Sequence, residues 1–504
     1  KESFKETSVE QFISSIESQN EKNKSSIFDL IEDPQKLHKK LLKKDQDLRE
    51  VIDPYIEFVE ENKRDKHTNL KLADIWRYFR MTWSLEYKSN PGRSLRIIIR
   101  NKATYPHTVM GIAQLSSPVI SLGPRDERLA LSYGSFLDFA KEENLSLEQI
   151  SDLMMDCFTQ AKSMISVKGL RGKGNELKEI TRESLKRRES YLKEGRSSDA
   201  LDSLFLAKRS KKLGEVQQNL QLLKFLINQT KKEKLKLSDV EKNKNFQSLV
   251  NKFLNQKKID VISSDIMDLS VCGAVFPYNN LLVGKLVAIL SSSHEVKKFV
   301  DQKYANSESI IASKMAGKKV KRSSNLLGLT TTSLYGVSAS QYNRLKLKTD
   351  QGILKREVNW EELSNTKGYG TFHFSKKTRD IIERFYNNEF EVQKVTYEFG
   401  EGTSPTLRKL RDGLSNIGFS QQVLKHEFYR KTYFCDLTGD IRKKIFGFKQ
   451  RNVKLDSQKS LSSAWIKRYL EPRIKNEKVM KDLSSLKKDK YSLSKIRNKL
   501  LKSN

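Results

Sequence analysis

Between Asp268 and Lys346 the chain gathers residue types that could do chemistry. VISSDIMDLSVCGAV reads as a strand, and NNLLVGKLVAILSSSHEVKKFVDQKY as a helix of four to six turns whose first half is apolar nearly all round and therefore buried. Gly284-Lys285 falls where the helix opens. Unsatisfied amides and the helix dipole favour an anion there, a glycine lets a phosphate approach the backbone, and a lysine adds a charge. The structural alternative is that Gly284 only permits close helix–strand packing while Lys285 snorkels to solvent. VGKL lacks the GxxxxGK[ST] pattern, so it is no P-loop.

The strand NLLGLTTTSL ends in hydroxyls, and ASQYNRLKL then reads as a short helix. Thr332, Ser333, Tyr335, Ser340, Gln341, Asn343 and Arg344, with Tyr342 among them, cluster hydrogen-bonding groups at one strand end, able to read a base edge, a phosphate or a thioester carbonyl. A capping role for Ser338 or Ser340 coexists with that reading. In GYGTFHFS, His373 lies between aromatic neighbours, where a lone strand histidine is more often structural than catalytic; His426 and Cys435 could approach it. Two carboxylate pairs, Asp265/Asp268 and Glu398/Glu401, are candidates by proximity alone. Glu401 stands out, framed by glycines ahead of a helix carrying Arg408, Lys409 and Arg411. His373 and Glu401 are thus the catalytic candidates that the residues themselves offer. HxxxH, CxxC and HxE patterns are absent, and no metal site is expected.

The elements that must position these residues alternate in texture. Residues 1–70 are charged, with apolar positions at helical spacing in FISSIES, IFDLIED and VIDPYIEFVEE, and read as a small helical region. Residues 71–140 open an α/β core: LKLADIWRYFRMTWSLEY is an aromatic helix stopped at Asn90-Pro91-Gly92, and LRIIIR with TVMGIAQLSS form a strand pair around Tyr105-Pro106. Residues 141–260 are a basic helical insertion, 261–437 complete the core and hold the site, and 438–504 form a basic helical tail. Pro405 fits a first helical position behind Ser404.

Across 504 residues, 95 Lys and Arg stand against 62 Asp and Glu, a net charge of +33, which points to a polyanionic partner and most simply nucleic acid. An AT-rich genome that favours Lys codons, with a need for solubility, explains the choice of Lys over Arg, but not the excess of positive over negative charge. Phosphate contacts are expected from Arg171, Lys173, Arg187, Arg188, Lys318, Lys319, Lys321, Arg322, Arg408 and Arg411, with solvated helix faces as the plain alternative. Three scattered cysteines fit neither a disulfide framework nor a zinc spacing, so a reducing cytoplasm is expected. The longest apolar run, near Leu281–Leu290, is too short to span a bilayer, so no membrane association is expected. The first residue is Lys rather than Met, so sequence before Lys1 is expected.

PGRSLRIIIRN, VMGIAQLSSPVISLGPRDE, DLSVCGAVFPYNNLLVGKLVAIL, TTTSLYGVSASQYNRLK, GYGTFHFS and FGEGTSPTLRKLRDGLSNIGF together resemble the DruA family of the Druantia anti-phage defence system, over about 70–140 and 260–437. The resemblance implies a bacterial cytoplasmic defence component acting beside a helicase-like protein, and supplies no reaction. The order of elements is similar to the acetyltransferase (GNAT) fold, implying an α+β protein with a mixed sheet elaborated by basic helices. On that analogy Leu282, Val283 and Gly284 face a pyrophosphate and Tyr342 takes the general-acid position. Only Gly284 survives of the usual [Q/R]xxGxG/A glycines, which puts acetyl-CoA in doubt. The expectation is a nucleic-acid-binding component, DNA before RNA, with an acyltransferase or nucleotide-modifying enzyme as the alternative.

Overall fold

The computed structural model describes residues 2–19, 25–43, 46–83, 92–321, 324–333, 340–349, 352–366, 374–389, 405–425, 429–450 and 453–502. Its centre is a sheet built from β1 (Pro54–Val59), β2 (Ser94–Asn101), β3 (Thr108–Ser116), β4 (Ile266–Ala274), β5 (Gly328–Thr332), β8 (Glu361–Asn365) and β9 (Lys431–Asp436), in the order β1-β2-β3-β4-β5-β9-β8. The short strands β6 (Lys346–Leu347) and β7 (Val358–Asn359) pair separately. All neighbours in the main sheet are antiparallel except β4 and β5, which run parallel. The protein is therefore α+β, with a mostly antiparallel sheet among many helices.

The continuous apolar runs of β2 and β3 follow from burial on both faces. Ile97 and Ile99 join a cluster on one face with Met110, Met267 and Leu269; Ile98 and Ile112 join another on the opposite face. The first face is covered by Leu286, Val287 and Leu290 of a helix at Val283–Ser291. The opposite face is covered in two patches. Helices α1 (Thr7–Glu17) and α2 (Leu72–Met81) bring Ile13, Ile16, Trp76 and Phe79 to the first patch. After α3 (Gly123–Arg128), helices α4 (Tyr133–Glu142), α5 (Leu147–Ser163), α6 (Asn175–Lys193), α7 (Ser197–Glu233) and α8 (Lys244–Ser264) succeed one another. Phe136, Phe139 and Phe253 of this series meet Ile266, Leu327 and Phe434 at the second patch.

Several elements differ from the reading by spacing. VIDPYIEFVEE holds an edge strand, β1: Pro54 opens it without donating to a ladder, and its short apolar run suits either period. The long helix expected over 279–304 splits into α9 (Val283–Ser291) and α10 (His294–Tyr304). Serines cause the break: Ser291 and Ser292 bond back to the carbonyls of Val287 and Ile289, and Ser293 caps the second helix through the Val296 amide. ASQYNRLKL forms no helix over its described residues; turns at 341–344 lead straight into β6. Later come α11 (Lys376–Glu389), α12 (Pro405–Asn416), α13 (Gln458–Trp465) and α14 (Leu493–Lys502). The Glu17 carboxylate caps α14, accepting from the Leu493 amide at 2.7 Å and from Ser492 Oγ at 2.9 Å.

Packing of α9 on the sheet leaves no room for a methyl at Gly111. A Cβ there would meet Val287 Cγ2 at 2.5 Å and the Gly273 carbonyl oxygen at 2.8 Å. Gly111→Ala should destabilise the chain by about 1–3 kcal/mol, read as a lowered midpoint in urea unfolding.

Candidate functional site

β4 and β5 pair only over Ile266–Asp268 and Gly328–Thr330. Beyond Asp268 and Thr330 the two strands are no longer paired, and residues 340–344 fill the interval. Gln341 Nε2 donates to the Cys272 carbonyl at 2.8 Å, and Thr331 Oγ1 donates to the Leu269 carbonyl at 2.9 Å. Tyr342 is buried between the rings of Trp360 and Tyr433, at 5.4 and 5.2 Å. Burial drives the Tyr342 phenol far above its ordinary range and pushes the Cys272 thiol up to about 12.

The turn into α9 is closed from the same side. Leu282 precedes the helix with φ of 58°, and the space over Gly284 belongs to Gln341, whose Oε1 would lie 2.3 Å from a Cβ there. Lys285 Nζ donates to the carbonyls of Gln341 and Asn343, both at 2.8 Å, and lies over the Tyr469 ring. Burial lowers its pKa to about 8. The segment after β9 seals the outside: Trp465 Nε1 donates to the Leu282 carbonyl, Arg473 Nε to the Asn280 carbonyl, and Tyr469 Oη to the Arg344 carbonyl.

Six positions singled out by sequence thus converge: Gly284, Lys285, Ser340, Gln341, Tyr342 and Asn343. Ser340 Oγ accepts from the Tyr342 amide, and Asn343 Oδ1 accepts from Tyr433 Oη. Thr332 ends β5 and Ser333 follows it, with Ser333 N donating to the Lys431 carbonyl, and Arg344 is exposed at φ of 55°. Tyr335, Arg322, His373, His426, Glu398 and Glu401 lie outside the described residues. Trp360, Tyr433, Trp465, Tyr469 and Arg473 complete the arrangement from up to about two hundred positions away, and no spacing rule links them to it.

The carboxylates Asp265 and Asp268 do not converge. Asp265 follows α8 and accepts from the Asn325 amide, and burial raises its pKa to about 6. Asp268 lies on the sheet, and desolvation raises it to about 7, with the Arg125 guanidinium pulling it partly back. Among the described residues no group of three or more His, Cys, Asp or Glu side chains could hold a metal ion. None of their helices is long and apolar enough to cross a membrane.

The basic residues separate by exposure. Arg171, Lys173, Arg187, Lys318, Lys319 and Lys321 are exposed. Lys318 Nζ donates to the Ser163 carbonyl and Ser166 N to the Ala316 carbonyl, which sets 316–321 beside the connection from α5 to α6 that carries Arg171 and Lys173. Arg188 is half-buried and Arg408 buried, both lowered by desolvation; Arg411 pairs with Asp412 at 3.0 Å.

The architecture defines a sheet-centred α+β protein with a self-sealed turn at the head of α9. A family model described as "Druantia protein DruA" matches residues 8–135 and 229–447, and the chain belongs to that family. It is 29% identical over 211 residues to "Druantia protein DruA" of Escherichia coli (strain UMEA 4076-1), covering 42% of this chain and 49% of that protein. The chain thus spans about half the length of the curated relative it matches. No solved structure matches it.

Two variants probe these assignments. Lys285→Met leaves two carbonyls without their donor and should cost about 1–3 kcal/mol in chemical unfolding; unchanged stability would mean that the ammonium does not hold the 341–343 turn. Asp268 has a folded pKa above its ordinary 3.8, so the folded chain keeps that proton longer, and its contribution to stability falls as pH rises from about 4 to about 7. Asp268→Asn removes that loss. Its melting temperature relative to the parent chain should therefore climb between pH 5 and pH 8.

Proposed function

We propose that this chain is a nucleic-acid-binding component of a Druantia-type anti-phage defence system, engaging phage DNA for partner subunits that include a helicase-like protein, in the bacterial cytoplasm. The observation that carries the reading is the surplus of +33 together with the exposed cations at Arg171, Lys173, Arg187 and Lys318–Lys321. Family membership supports the defence role. On this reading helices α5–α8 are a polyanion-facing insertion in a core formed by 71–140 and 261–437, flanked by the 1–70 region and the 438–504 tail.

A second reading, a GNAT-like acyltransferase or nucleotide-modifying enzyme, is favoured by one feature. Antiparallel strands lead to a parallel β4–β5 pair that parts, with a helix directly after β4. The residues present do not fit acetyl-CoA at that turn, because Gln341 fills the space over Gly284 and Lys285 is committed to carbonyls. Tyr342, walled in by Trp360 and Tyr433, is poorly placed to pass a proton to a leaving group.

Binding to duplex DNA should weaken steeply with salt, log affinity falling by about 0.9 per phosphate neutralised for each log unit of salt. Reversing Lys173, Arg187 and Lys319 to Glu together should flatten that slope by about three contacts' worth. A gel shift indifferent to salt would sink the proposal, and calorimetric binding of acetyl-CoA at micromolar concentration would restore the acyltransferase.

A further inference from the structure

Helix α7 runs for 37 residues, and its second half differs from every other exposed helix of this charged chain. Between Glu215 and Glu233 the sequence VQQNLQLLKFLINQTKK holds no acid. Val216, Leu220, Leu223, Leu226 and Ile227 turn inward, joining a cluster with Ile150 and Met154 of α5 and Phe246 and Leu249 of α8. At about 100° per residue these positions share one side of the helix. The opposite side carries Gln218, Gln221, Phe225, Asn228 and Lys232, within an arc of about 80°. All five are exposed, Phe225 to 64%. The partner helix α6 accompanies the earlier half of α7: Leu177, near the start of α6, accepts from Ser210 Oγ at 2.6 Å through its carbonyl.

The spacing 218, 221, 225, 228, 232 is that of a coiled-coil seam, but the residue types are wrong for one. A seam needs apolar side chains at those positions. Here only Phe225 is apolar, and a second copy would bury amides and a lysine against themselves. The same set suits another occupant. Each amide offers a donor beside an acceptor, the complement of adenine N6 and N7 in the major groove, and a ring between them matches a thymine methyl. An α-helix fits that groove. From Gln218 to Asn228 the axis advances about 15 Å, the length of about four base pairs.

The charge around the arc agrees with a groove walled by phosphates. Lys224, exposed, flanks it on one edge and Lys232 stands at its end. Arg171 and Lys173 lie near its beginning, in the connection whose Leu170 packs with Leu213. Lys231 is engaged elsewhere, 3.2 Å from Glu148, and Gln229 donates to Glu233 at 3.4 Å. Glu215 and Glu233 both lie about 100° round the helix from the middle of the arc, clear of the face.

We propose that this face of α7 enters the major groove of duplex DNA and reads A·T pairs, Gln221 and Asn228 taking adenine edges and Phe225 a thymine methyl. The site rests on the nucleic-acid reading and gives it a base preference that cations alone cannot supply.

The test is equilibrium binding of the full chain to two duplexes of equal length at fixed salt, one with a central run of A·T pairs and one with G·C pairs. The A·T duplex should bind about tenfold tighter. Gln221→Ala and Phe225→Ala, both changes of exposed side chains, should each remove most of that preference and leave affinity for the G·C duplex unchanged. Replacing adenine by 7-deazaadenine, which lacks N7, should weaken the parent but not Gln221→Ala. Replacing thymine by uracil, which lacks the methyl, should weaken the parent but not Phe225→Ala. Salt-sensitive binding with equal affinities, or a preference that survives in both variants, overturns the groove contact and leaves the polyanion reading standing. Absence of binding to either duplex removes both. A parent dimer that becomes a monomer in Phe225→Ala gives the face to a second copy and likewise overturns the proposal.

Discussion

Two parallel strands that pair for three residues and then part set the terms for the middle of this protein. A sheet cannot leave its ladder groups open in a buried interior, because each unpaired amide or carbonyl keeps its full desolvation cost. The chain resolves this by inserting a loop where a strand would otherwise continue. Gln341 takes the Cys272 carbonyl, Lys285 holds the loop by two of its own carbonyls, and Tyr342 fills the volume against two aromatic rings. The close of β4, the left-handed Leu282, the glycine at 284 and the tail across Leu282 and Asn280 are all parts of that one solution.

This arrangement gives the Gly-Lys pair a different meaning from the one its position at a helix start suggests. A helix N-terminus attracts anions, but it also attracts any carbonyl or side chain that reaches it first. Here the protein's own backbone arrives. The lysine is partly buried and gives two hydrogen bonds to backbone carbonyls, which sets it apart from the exposed positive charge at Arg171, Lys173, Arg187 and 318–321.

Much of this was legible in the chain. The β-branched run LRIIIR and its partner TVMGIAQLSS announce a strand pair, and DLSVCGAV a third strand, since few other environments suit such residues. The grouping of Gly284 and Lys285 with Ser340–Asn343 was readable because both segments break the lysine-rich texture. What escaped did so for physical reasons. VIDPYIEFVEE satisfies both periods, and only pairing with β2 decides it. The serines at 291–293 look like a helical continuation until their hydroxyls are seen competing for carbonyls. KTYFCD supplies the strand between β5 and β8, and six residues carry too little period to identify themselves. Trp465 and Arg473 act on a turn that lies 183 and 193 residues before them.

The carboxylate of Glu17 caps a helix that starts at Leu493, across 476 positions of chain. Arg497 reaches back in the same way to the Phe4 carbonyl and to Glu10. Such contacts cannot form until residues 492–497 have been synthesised, and loop closure over that span is slow. Helix α1 therefore waits, with Ile13 and Ile16 lacking part of their cover, until that segment has emerged. During that interval its apolar face is surface a chaperone could hold.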